Sequence, residues 1–442
     1  MPSLSWKPNS KSLEFASPEE IADYQLPALR RQLDYLAAHS PFYRSLFEQH
    51  GIDVARITTL VDLARLPVTT KTDLQRRNWD FLCVPRSQVA EYCSTSGTLG
   101  LPVTICLTRA DLDRLYYNEF LSFACADGRP DDVYQLMLTL DRQFMAGVAY
   151  YGGILRSGAS AIRLGPGNIK SQLDTILQLR PTVLVGVPSF ISTLVGYARE
   201  VGIDLNSTSV QRIICIGESI RREGFEPNAL AEKITGAWNV QLYSTYASTE
   251  KQTAFTECGQ GRGGHHQPEL LLFEILDEQD QVLPAGRFGE LTITTLGVEG
   301  MPLLRYKTGD ICAYYDEPCA CGRTTRRLSP IVGRKQQLIK YKGTTVYPQA
   351  IFNALNTQPD VAAYVVEAFT SDMGTDELKI SLALHQQSDA VVGSIRQALQ
   401  ASLRVLPTLQ VLPLAQVLAM QNSENKRKPS SFIDQRRIPP PA

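Results

Sequence analysis

The strongest constraint on the fold is an alternation of apolar and helix-patterned stretches between residues 132 and 250. Apolar runs such as VYQLMLTL, TVLVGVP and RIICIG alternate with amphipathic runs such as IKSQLDTILQL and SFISTLVGYAREVG. Short, almost continuously apolar strands separated by helices are typical of a parallel sheet that is covered on both faces. The sequence therefore predicts an α/β domain with a largely parallel sheet at its centre.

Other patterns flank this region on both sides. The segment LPALRRQLDYLAAHSPFYRSLFEQHG has leucines at helical spacing and predicts an amphipathic helix with a continuation that stops at Gly51. The run LLLFEILDEQDQVLPAGRFGELTITTL predicts an antiparallel hairpin in a β-rich subdomain. After Gly333, the runs VAAYVVEAF and LKISLALH predict strands, and VVGSIRQALQASL predicts a helix. We therefore expect a large domain over 1–333 and a small α+β domain over 334–442.

Composition limits the kinds of partner. The chain has 442 residues, 44 basic and 45 acidic, and no long block of one sign. Nucleic acids and anionic membranes are recognised by such blocks, so we expect small-molecule partners instead. The first residues lack the apolar core of a signal peptide, and no apolar run reaches the roughly 20 residues that a bilayer requires. These features and nine unpatterned cysteines predict a cytoplasmic protein with reduced thiols.

A loop rich in glycine and hydroxyl residues, CSTSGTLGLP, precedes a β-rich run. Glycine allows backbone N–H groups to approach phosphate oxygens closely, and hydroxyls add hydrogen-bond donors. Its spacing fits neither the Walker loop nor the dinucleotide fingerprint. By itself, the loop could bind polyphosphate or form a polar surface turn.

Two further stretches contain nucleotide-binding residue types. In LYSTYASTEKQT, Tyr246 offers a ring for a nucleobase, Thr249 a hydroxyl for a phosphate, and Glu250 a carboxylate for Mg²⁺. In RYKTGD, Asp310 could accept hydrogen bonds from ribose hydroxyls, although an aspartate after glycine is more often a turn residue. Each signal is weak when it is taken alone.

The order of these stretches resembles a known family. Together with GRKQQLIKYKGTTVYP, HSPFYRSLFEQHGID, LARLPVTTKTDL and NSENKRKPSSFIDQRR, they are similar over nearly the whole chain to the phenylacetate-CoA ligase group of adenylate-forming enzymes. The resemblance implies that fold, with a mobile C-terminal domain. It also implies an acid-CoA ligase that uses ATP, Mg²⁺ and coenzyme A.

The resemblance assigns roles by position. It implies that the phosphate loop begins at Ser94, that Tyr246 stacks on adenine, that Thr249 touches the α-phosphate, and that Glu250 holds Mg²⁺. The other residues implied for nucleotide and CoA binding are Thr95, Ser96, Gly97, Thr98, Gly217, Glu218, Ser219, Asp310, Arg334 and Gly343.

The resemblance also implies a catalytic lysine in the C-terminal tail. Lys426 occupies the family position, and Lys428 is the nearby alternative. An ammonium there would offset negative charge as the substrate carboxylate attacks the α-phosphorus. For the second step, the small domain would rotate about the hinge at 334–336 and bring Gly343 and its loop to the acyl carbon. Lys340 and Lys342 could then meet CoA phosphates, or be ordinary surface lysines.

Several positions depart from the family pattern. Leu99 and Leu101 replace a threonine and a lysine in the phosphate loop, so we expect looser phosphate binding. Gln336 replaces an aspartate at the hinge, and Asn425 replaces the glycine before the lysine. None of these changes removes a reacting group.

Candidate residues for the acid pocket follow from position in the crossover regions. An aromatic and small-residue lining suits a flat aryl or arylacetic acid, although each residue could equally belong to the apolar core. The candidates are Tyr134, Phe144, Met145, Ala146, Gly147, Gly186 and Pro188.

A separate group of residues has the chemistry of a structural zinc site. Cys258 precedes His265 and His266, and Cys319 and Cys321 follow some fifty residues later in a loop rich in proline and glycine. Three thiols and one imidazole can close a tetrahedral Zn²⁺ site. Family spacing favours His265, and buried free cysteines are the alternative interpretation. The remaining cysteines are expected to pack singly as small apolar residues.

Three functional hypotheses stay open. The first is an acid-CoA ligase, and the second is an adenylation enzyme that loads a carrier-protein thiol. The third is a degenerate nucleotide-binding scaffold, which the altered phosphate loop favours and the presence of Glu250, Asp310, Arg334 and Lys426 disfavours. A homodimer is common among similar ligases, and the sequence does not fix the oligomeric state.

Overall fold

The computed structural model describes residues 13–95, 103–342, 344–371, 375–421 and 430–436. The chain divides into a large unit, residues 1–308 and 312–330, and a small unit, residues 309–311 and 331–442. The sequence predicted that the mobile domain begins at residue 334, and this boundary stays a prediction. Among the described residues, no helix is both long and apolar enough to cross a membrane.

The large unit contains helices that cover its sheets. They are α1 (Pro18–His39), α2 (Pro41–His50), α3 (Lys71–Arg76), α4 (Arg109–Cys125), α5 (Met145–Arg156), α6 (Ile169–Leu179), α7 (Pro188–Glu200) and α8 (Ala229–Thr235). The predicted N-terminal helix is divided at Ser40, whose hydroxyl caps α2, while Pro41 occupies the first turn of α2. Gly51 ends α2 in the left-handed conformation, as the sequence predicted.

The strands of the large unit form a central sheet and two smaller pairings. They are β1 (Glu91–Ser94), β2 (Thr104–Leu107), β3 (Val133–Leu136), β4 (Ser160–Arg163), β5 (Val183–Gly186), β6 (Arg212–Ile216), β7 (Gln241–Ser248), β8 (Thr253–Glu257), β9 (Gly264–His265), β10 (Leu271–Leu276), β11 (Gly289–Thr295), β13 (Tyr314–Tyr315) and β14 (Arg327–Leu328). A further strand, β12 (Tyr306–Cys312), runs through the boundary between the units.

The central sheet has nine described strands in the order β13-β14-β9-β8-β7-β6-β5-β3-β4. Strands β4, β3, β5, β6 and β7 are parallel, which confirms the prediction from the alternating pattern. Strands β8, β9, β14 and β13 continue the sheet antiparallel, and β10 and β11 form the predicted antiparallel hairpin.

Both faces of the inner parallel strands are buried. Leu184, Ile213 and Leu242 pack under α6, α7 and α8, whereas Val183, Ile214 and Tyr243 point to the opposite face. Successive side chains of a strand point to opposite faces, so a strand covered on both sides must be apolar at nearly every position. This burial explains the continuous apolar runs of the sequence.

The small unit is an α+β layer with its own core. Its elements after β12 are β15 (Gly333–Arg334), β16 (Ile339–Tyr341), β17 (Thr344–Val346), α9 (Pro348–Asn356), β18 (Val361–Thr370), β19 (Asp376–Leu384), α10 (Asp389–Leu403), β20 (Thr408–Val411), α11 (Leu414–Gln421) and β21 (Phe432–Gln435). The sheet order is β20-β19-β18-β21, with α9 and α10 on one face and α11 on the other. The two predicted strands and the predicted helix are confirmed as β18, β19 and α10.

Candidate functional site

Some residues predicted for the nucleotide and one predicted for the acid lie at one edge of the parallel sheet. Gly186 ends β5, Gly217 follows the last residue of β6, and Tyr246 lies near the end of β7. The pairing places Gly186 opposite Cys215, and Ile216 opposite Thr245. Neighbouring strands lie roughly 4.8 Å apart, so the three chain segments adjoin at their carboxyl ends. Ligands of open α/β sheets bind outside this edge.

The loop after β6 is held by its own side chains. Gly217 has φ +75°, a conformation that favours glycine. The carboxylate of Glu218 accepts hydrogen bonds from the backbone N–H and the hydroxyl of Ser189, both at 2.9 Å, in the first turn of α7. The hydroxyl of Ser219 donates to the carbonyl of Arg221 at 2.9 Å. The predicted adenine loop is therefore fixed against α7, with Glu218 acting as a helix cap.

Only the first residues of the predicted phosphate loop are described. Ser94 ends β1, and its N–H donates to the carbonyl of Gln143 at 3.0 Å. The hydroxyl of Thr95 accepts from the N–H of Val103 at 3.1 Å, and the N–H of Thr95 donates back to the Val103 carbonyl at 3.0 Å. These bonds close the base of the loop. Ser96, Gly97 and Thr98 lie outside the described residues.

The candidates for the acid pocket occupy two places. Phe144, Met145, Ala146 and Gly147 form the start of α5, beside the loop that bonds to Ser94. A Cβ at Gly147 would lie 2.5 Å from the carbonyl oxygen of Thr139, so the helix start must approach this backbone without a side chain. Gly186 and Pro188 lie at the end of β5 and the start of α7.

Tyr134 lies apart from the other candidates for the acid pocket. It pairs with Val183 in the sheet, three residues before Gly186, and this separation is roughly 10 Å along a strand. Its ring packs against Phe123, with centroids 5.0 Å apart, in the core. Burial raises the pKa of its hydroxyl. The structure thus places Tyr134 in the apolar core, the alternative that the sequence left open.

In the small unit, Asp310 and Arg334 face each other across paired strands. The Nε atom of Arg334 donates to Oδ1 of Asp310 at 2.9 Å, and the two residues are direct partners between β12 and β15. The Asp310 carboxylate is buried and the Arg334 side chain is about half exposed. Gln336 lies in a short 3₁₀ turn after β15. Gly343, Lys426 and Lys428 lie outside the described residues.

A cysteine and histidine cluster lies entirely within the described residues of the large unit. The ligand atoms of Cys258, His265, Cys319 and Cys321 all lie within 4.8 Å of one another. The Sγ atoms of Cys258 and Cys319 are 3.7 Å apart, and Sγ of Cys321 is 3.5 Å from Nε2 of His265. A regular tetrahedron with ordinary zinc bonds has S···S and S···N edges of roughly 3.8 Å and 3.6 Å. The four side chains therefore fit a tetrahedral metal ion.

The residues around the cluster also suit a metal centre. The Nδ1 atom of His265 lies 3.1 Å from the hydroxyl of Thr325, which fixes the ring with Nε2 toward the thiols. Burial, with Arg323 and Arg327 nearby, lowers the pKa of His265 to about 3, which favours the neutral form that binds metals. Nη1 of Arg323 lies 3.7 Å from Sγ of Cys321. Burial raises the pKa of the Cys321 thiol. Hydrogen bonds, led by those from Arg323, lower this pKa by a larger amount, so the net shift is downward.

His266 lies outside this cluster although it is adjacent in sequence. His266 follows the last residue of β9, and its Nε2 atom meets the carbonyl of Leu271. The preference for His265 thus agrees with the geometry. The expectation that all remaining cysteines pack singly was wrong for Cys125, which packs against Cys258, Cys319 and Cys321. Its thiol donates to the Thr256 carbonyl at 3.3 Å.

One buried residue beside the nucleotide edge was not singled out from the sequence. Lys251 follows Glu250, and its Nζ atom lies 3.4 Å from the centroid of the Tyr246 ring. A lysine in a turn is ordinarily a solvated surface residue, so the sequence contained no signal beyond its position after the Thr-Glu pair.

Comparison with known proteins agrees with this arrangement. A model of AMP-binding enzymes matches residues 35–300. The chain is 31% identical to phenylacetate-coenzyme A ligase of Thermus thermophilus over 84% of this chain and 83% of that protein. It is 27% identical to the phenylacetate-coenzyme A ligase of Aromatoleum evansii over 85% of this chain and 84% of that one.

A solved structure shares the fold over nearly the whole chain. The crystal structure of 2-hydroxyisobutyryl-CoA ligase in the postadenylation state, in complex with R3-HIB-AMP, superposes with a TM-score of 0.84 at 21% identity. The match covers 98% of this chain and 95% of that one. The fold class predicted from the sequence is therefore confirmed. The chain belongs to the AMP-binding enzyme family, in which its resemblance to phenylacetate-CoA ligases is confirmed.

Proposed function

We propose that the chain activates a carboxylic acid with ATP and transfers the acyl group to coenzyme A. The observation that carries the proposal is the convergence of Gly186, the loop Gly217–Ser219 and Tyr246 at one carboxyl edge of the sheet. The names of the relatives support the same reaction class, since two of them are phenylacetate-coenzyme A ligases. We propose an aryl or arylacetic acid as substrate, which suits the aromatic and small residues at the start of α5.

In the first step, a carboxylate oxygen attacks the α-phosphorus of ATP, and the bond to pyrophosphate breaks. Glu250 would hold Mg²⁺, which would supply positive charge at the phosphates. Thr249 would donate to the α-phosphate, and Lys426 would offset the charge that develops there. Asp310 would accept hydrogen bonds from the ribose hydroxyls. In the second step, the thiol of coenzyme A attacks the acyl carbon, loses its proton, and displaces AMP.

Pyrophosphate exchange with a panel of acids tests the first step. We expect ATP-dependent exchange with an aryl or arylacetic acid and less with short aliphatic acids and amino acids. Absence of exchange with every acid would leave the scaffold hypothesis. Thioester formation with free coenzyme A, compared with loading of a carrier-protein thiol, then identifies the acceptor.

We also propose that the cysteine and histidine cluster holds a structural Zn²⁺. The tetrahedral spacing of Cys258, His265, Cys319 and Cys321 supports this ion. The ion would join the loop at 319–325 to strands β8 and β9, because its ligands come from both segments. Elemental analysis should find about one zinc per chain, and Cys319→Ser should lose most of it. Zinc-free wild-type protein of unchanged thermal stability would contradict the proposal.

A further inference from the structure

Lys251 is a fully buried lysine in the turn that joins β7 to β8. Its exposed fraction is 0%, and it follows directly after Glu250. Lysine is almost never fully buried unless its charge is compensated. Its burial places this side chain in the same turn as Thr249 and Glu250, two of the proposed nucleotide residues.

The turn folds the lysine back over the strand that precedes it. The N–H of Gln252 donates to the Ser248 carbonyl at 3.3 Å, and the N–H of Lys251 donates to the Ser248 hydroxyl at 3.4 Å. Gln252 takes a positive φ of 50° to complete this turn. The result is the contact of 3.4 Å between Nζ of Lys251 and the centre of the Tyr246 ring, well within the range of a cation–π interaction.

The Tyr246 ring has two neighbours in the sheet region. Lys251 lies against it, and the Phe255 ring is stacked beside it with centroids 6.2 Å apart. Tyr246 as a residue is less buried than Lys251. The nucleobase would use the part of the ring that neither neighbour covers. The ammonium attracts the electrons of the ring from behind, which favours stacking with an electron-rich purine.

The charge of Lys251 also lies close to the proposed phosphate site. Thr249 and Glu250 are its neighbours in the turn, and the segment Ser94–Pro102 contains no lysine or arginine. A buried positive charge acts through a medium of low dielectric constant, where its attraction for an anion is stronger than in water. Lys251 can thus favour the negatively charged nucleotide without a direct contact.

We infer that Lys251 is a positioning residue for the nucleotide, which orients the Tyr246 ring and supplies positive potential behind it. This inference rests on the proposed function. It predicts that Lys251 affects the affinity for the adenine nucleotide and leaves the affinity for the acid unchanged.

The test is calorimetric titration of the full chain with AMP, in the wild type and in Lys251→Met. Methionine keeps the length of the side chain and removes the charge. We expect binding to weaken on the order of tenfold, and Lys251→Arg to restore most of it. In a Tyr246→Leu background, the same substitution should weaken binding by a smaller factor, because only the electrostatic contribution of Lys251 remains. Kinetically, KM for ATP should rise while kcat and KM for the acid stay unchanged.

The outcomes separate the inference from the proposed function. A wild-type protein that binds neither AMP nor ATP overturns the proposed function itself. Wild-type binding that Lys251→Met retains in full overturns the inference alone. The inference is also overturned if kcat falls, both KM values rise, the melting temperature drops and arginine does not rescue the variant. That set of results would mean that Lys251 is purely structural. Lys251→Gln provides the same comparison if the methionine variant does not fold.

Discussion

The metal cluster and the nucleotide edge are built in different ways. The cluster holds four side chains from two segments of one unit, and their atoms already have the spacing of a tetrahedral site. The nucleotide edge is formed largely by backbone at strand ends, and several of its proposed residues, among them Asp310 and Lys426, lie in the small unit or outside the described residues. A site whose ligands are buried and mutually fixed suits a structural role, whereas catalysis in two steps requires groups that can exchange places.

The sharpest test of this contrast is Lys426→Ala. Removal of a preorganised positive charge should slow acyl-adenylate formation on the order of a hundredfold or more. Zinc content and thermal stability should stay at wild-type values, since the metal cluster lies in the other unit. Pyrophosphate exchange and elemental analysis measure the two effects.

Lys428→Ala is the matched control for that test. It removes a cation two residues away and should retain most of the activity. If Lys428→Ala shows the large loss and Lys426→Ala does not, the assignment of the catalytic lysine is wrong.

A smaller effect is expected for Thr325→Val, which removes the hydroxyl beside His265 and keeps the shape of the side chain. Loss of such an orienting partner should weaken metal binding by roughly 10–100-fold. Competition with a chromophoric chelator measures the affinity. Thr324→Val, which loses a bond to the Ala16 carbonyl instead, is the control and should bind metal like the wild type. If Thr325→Val binds the metal with unchanged affinity, the Thr325 hydroxyl does not contribute to metal binding.

The smallest effect, expressed per pH unit, concerns α4, which carries the buried Glu119. Its last residue, Cys125, packs at the metal cluster, and Glu119 packs against Gly153 of α5. Burial raises the pKa of Glu119 to about 8, although a hydrogen bond from Asn118 lowers it. Its Oε2 atom has no hydrogen-bond partner within the described parts of the chain. The folded protein therefore holds a proton on Glu119 that the unfolded chain releases near pH 4.5.

Because the folded state binds more protons between about pH 4.5 and 8, stability should fall as the pH rises through that window. The slope from one such group is at most about 1.4 kcal/mol per pH unit. Glu119→Gln should remove this slope, which urea denaturation at several pH values measures. Glu278→Gln, in an exposed turn, is the control. If the slope is unchanged in Glu119→Gln, the protonation of this carboxyl does not cause the pH dependence of the free energy of unfolding.

Much of the fold was predictable because it depends on local pattern. The apolar runs around Leu184 and Ile213 predicted parallel strands, since side-chain alternation and burial on both faces act on residues close in sequence. The types and spacing of Cys258, Cys319 and Cys321 likewise predicted a metal site, because thiolate and imidazole chemistry is independent of the fold.

Other features required contacts that no local pattern reports. Tyr134 belongs to a strand of the predicted sheet, but only its register with Val183 placed it in the core. Cys125 precedes Cys258 by more than a hundred residues, and its packing beside the thiols follows from the position of α4 on the sheet. Lys251 was not singled out from the sequence, because nothing local reports that its turn is buried.

The sequence alone determined which elements form and which chemical groups they carry, because backbone periodicity and side-chain chemistry are properties of short segments. Tertiary structure decided which groups meet, including the choice of His265 over His266 and the contact between Lys251 and Tyr246. Such contacts depend on strand register and on the direction in which each side chain leaves the sheet, and both are fixed only when distant segments pack together.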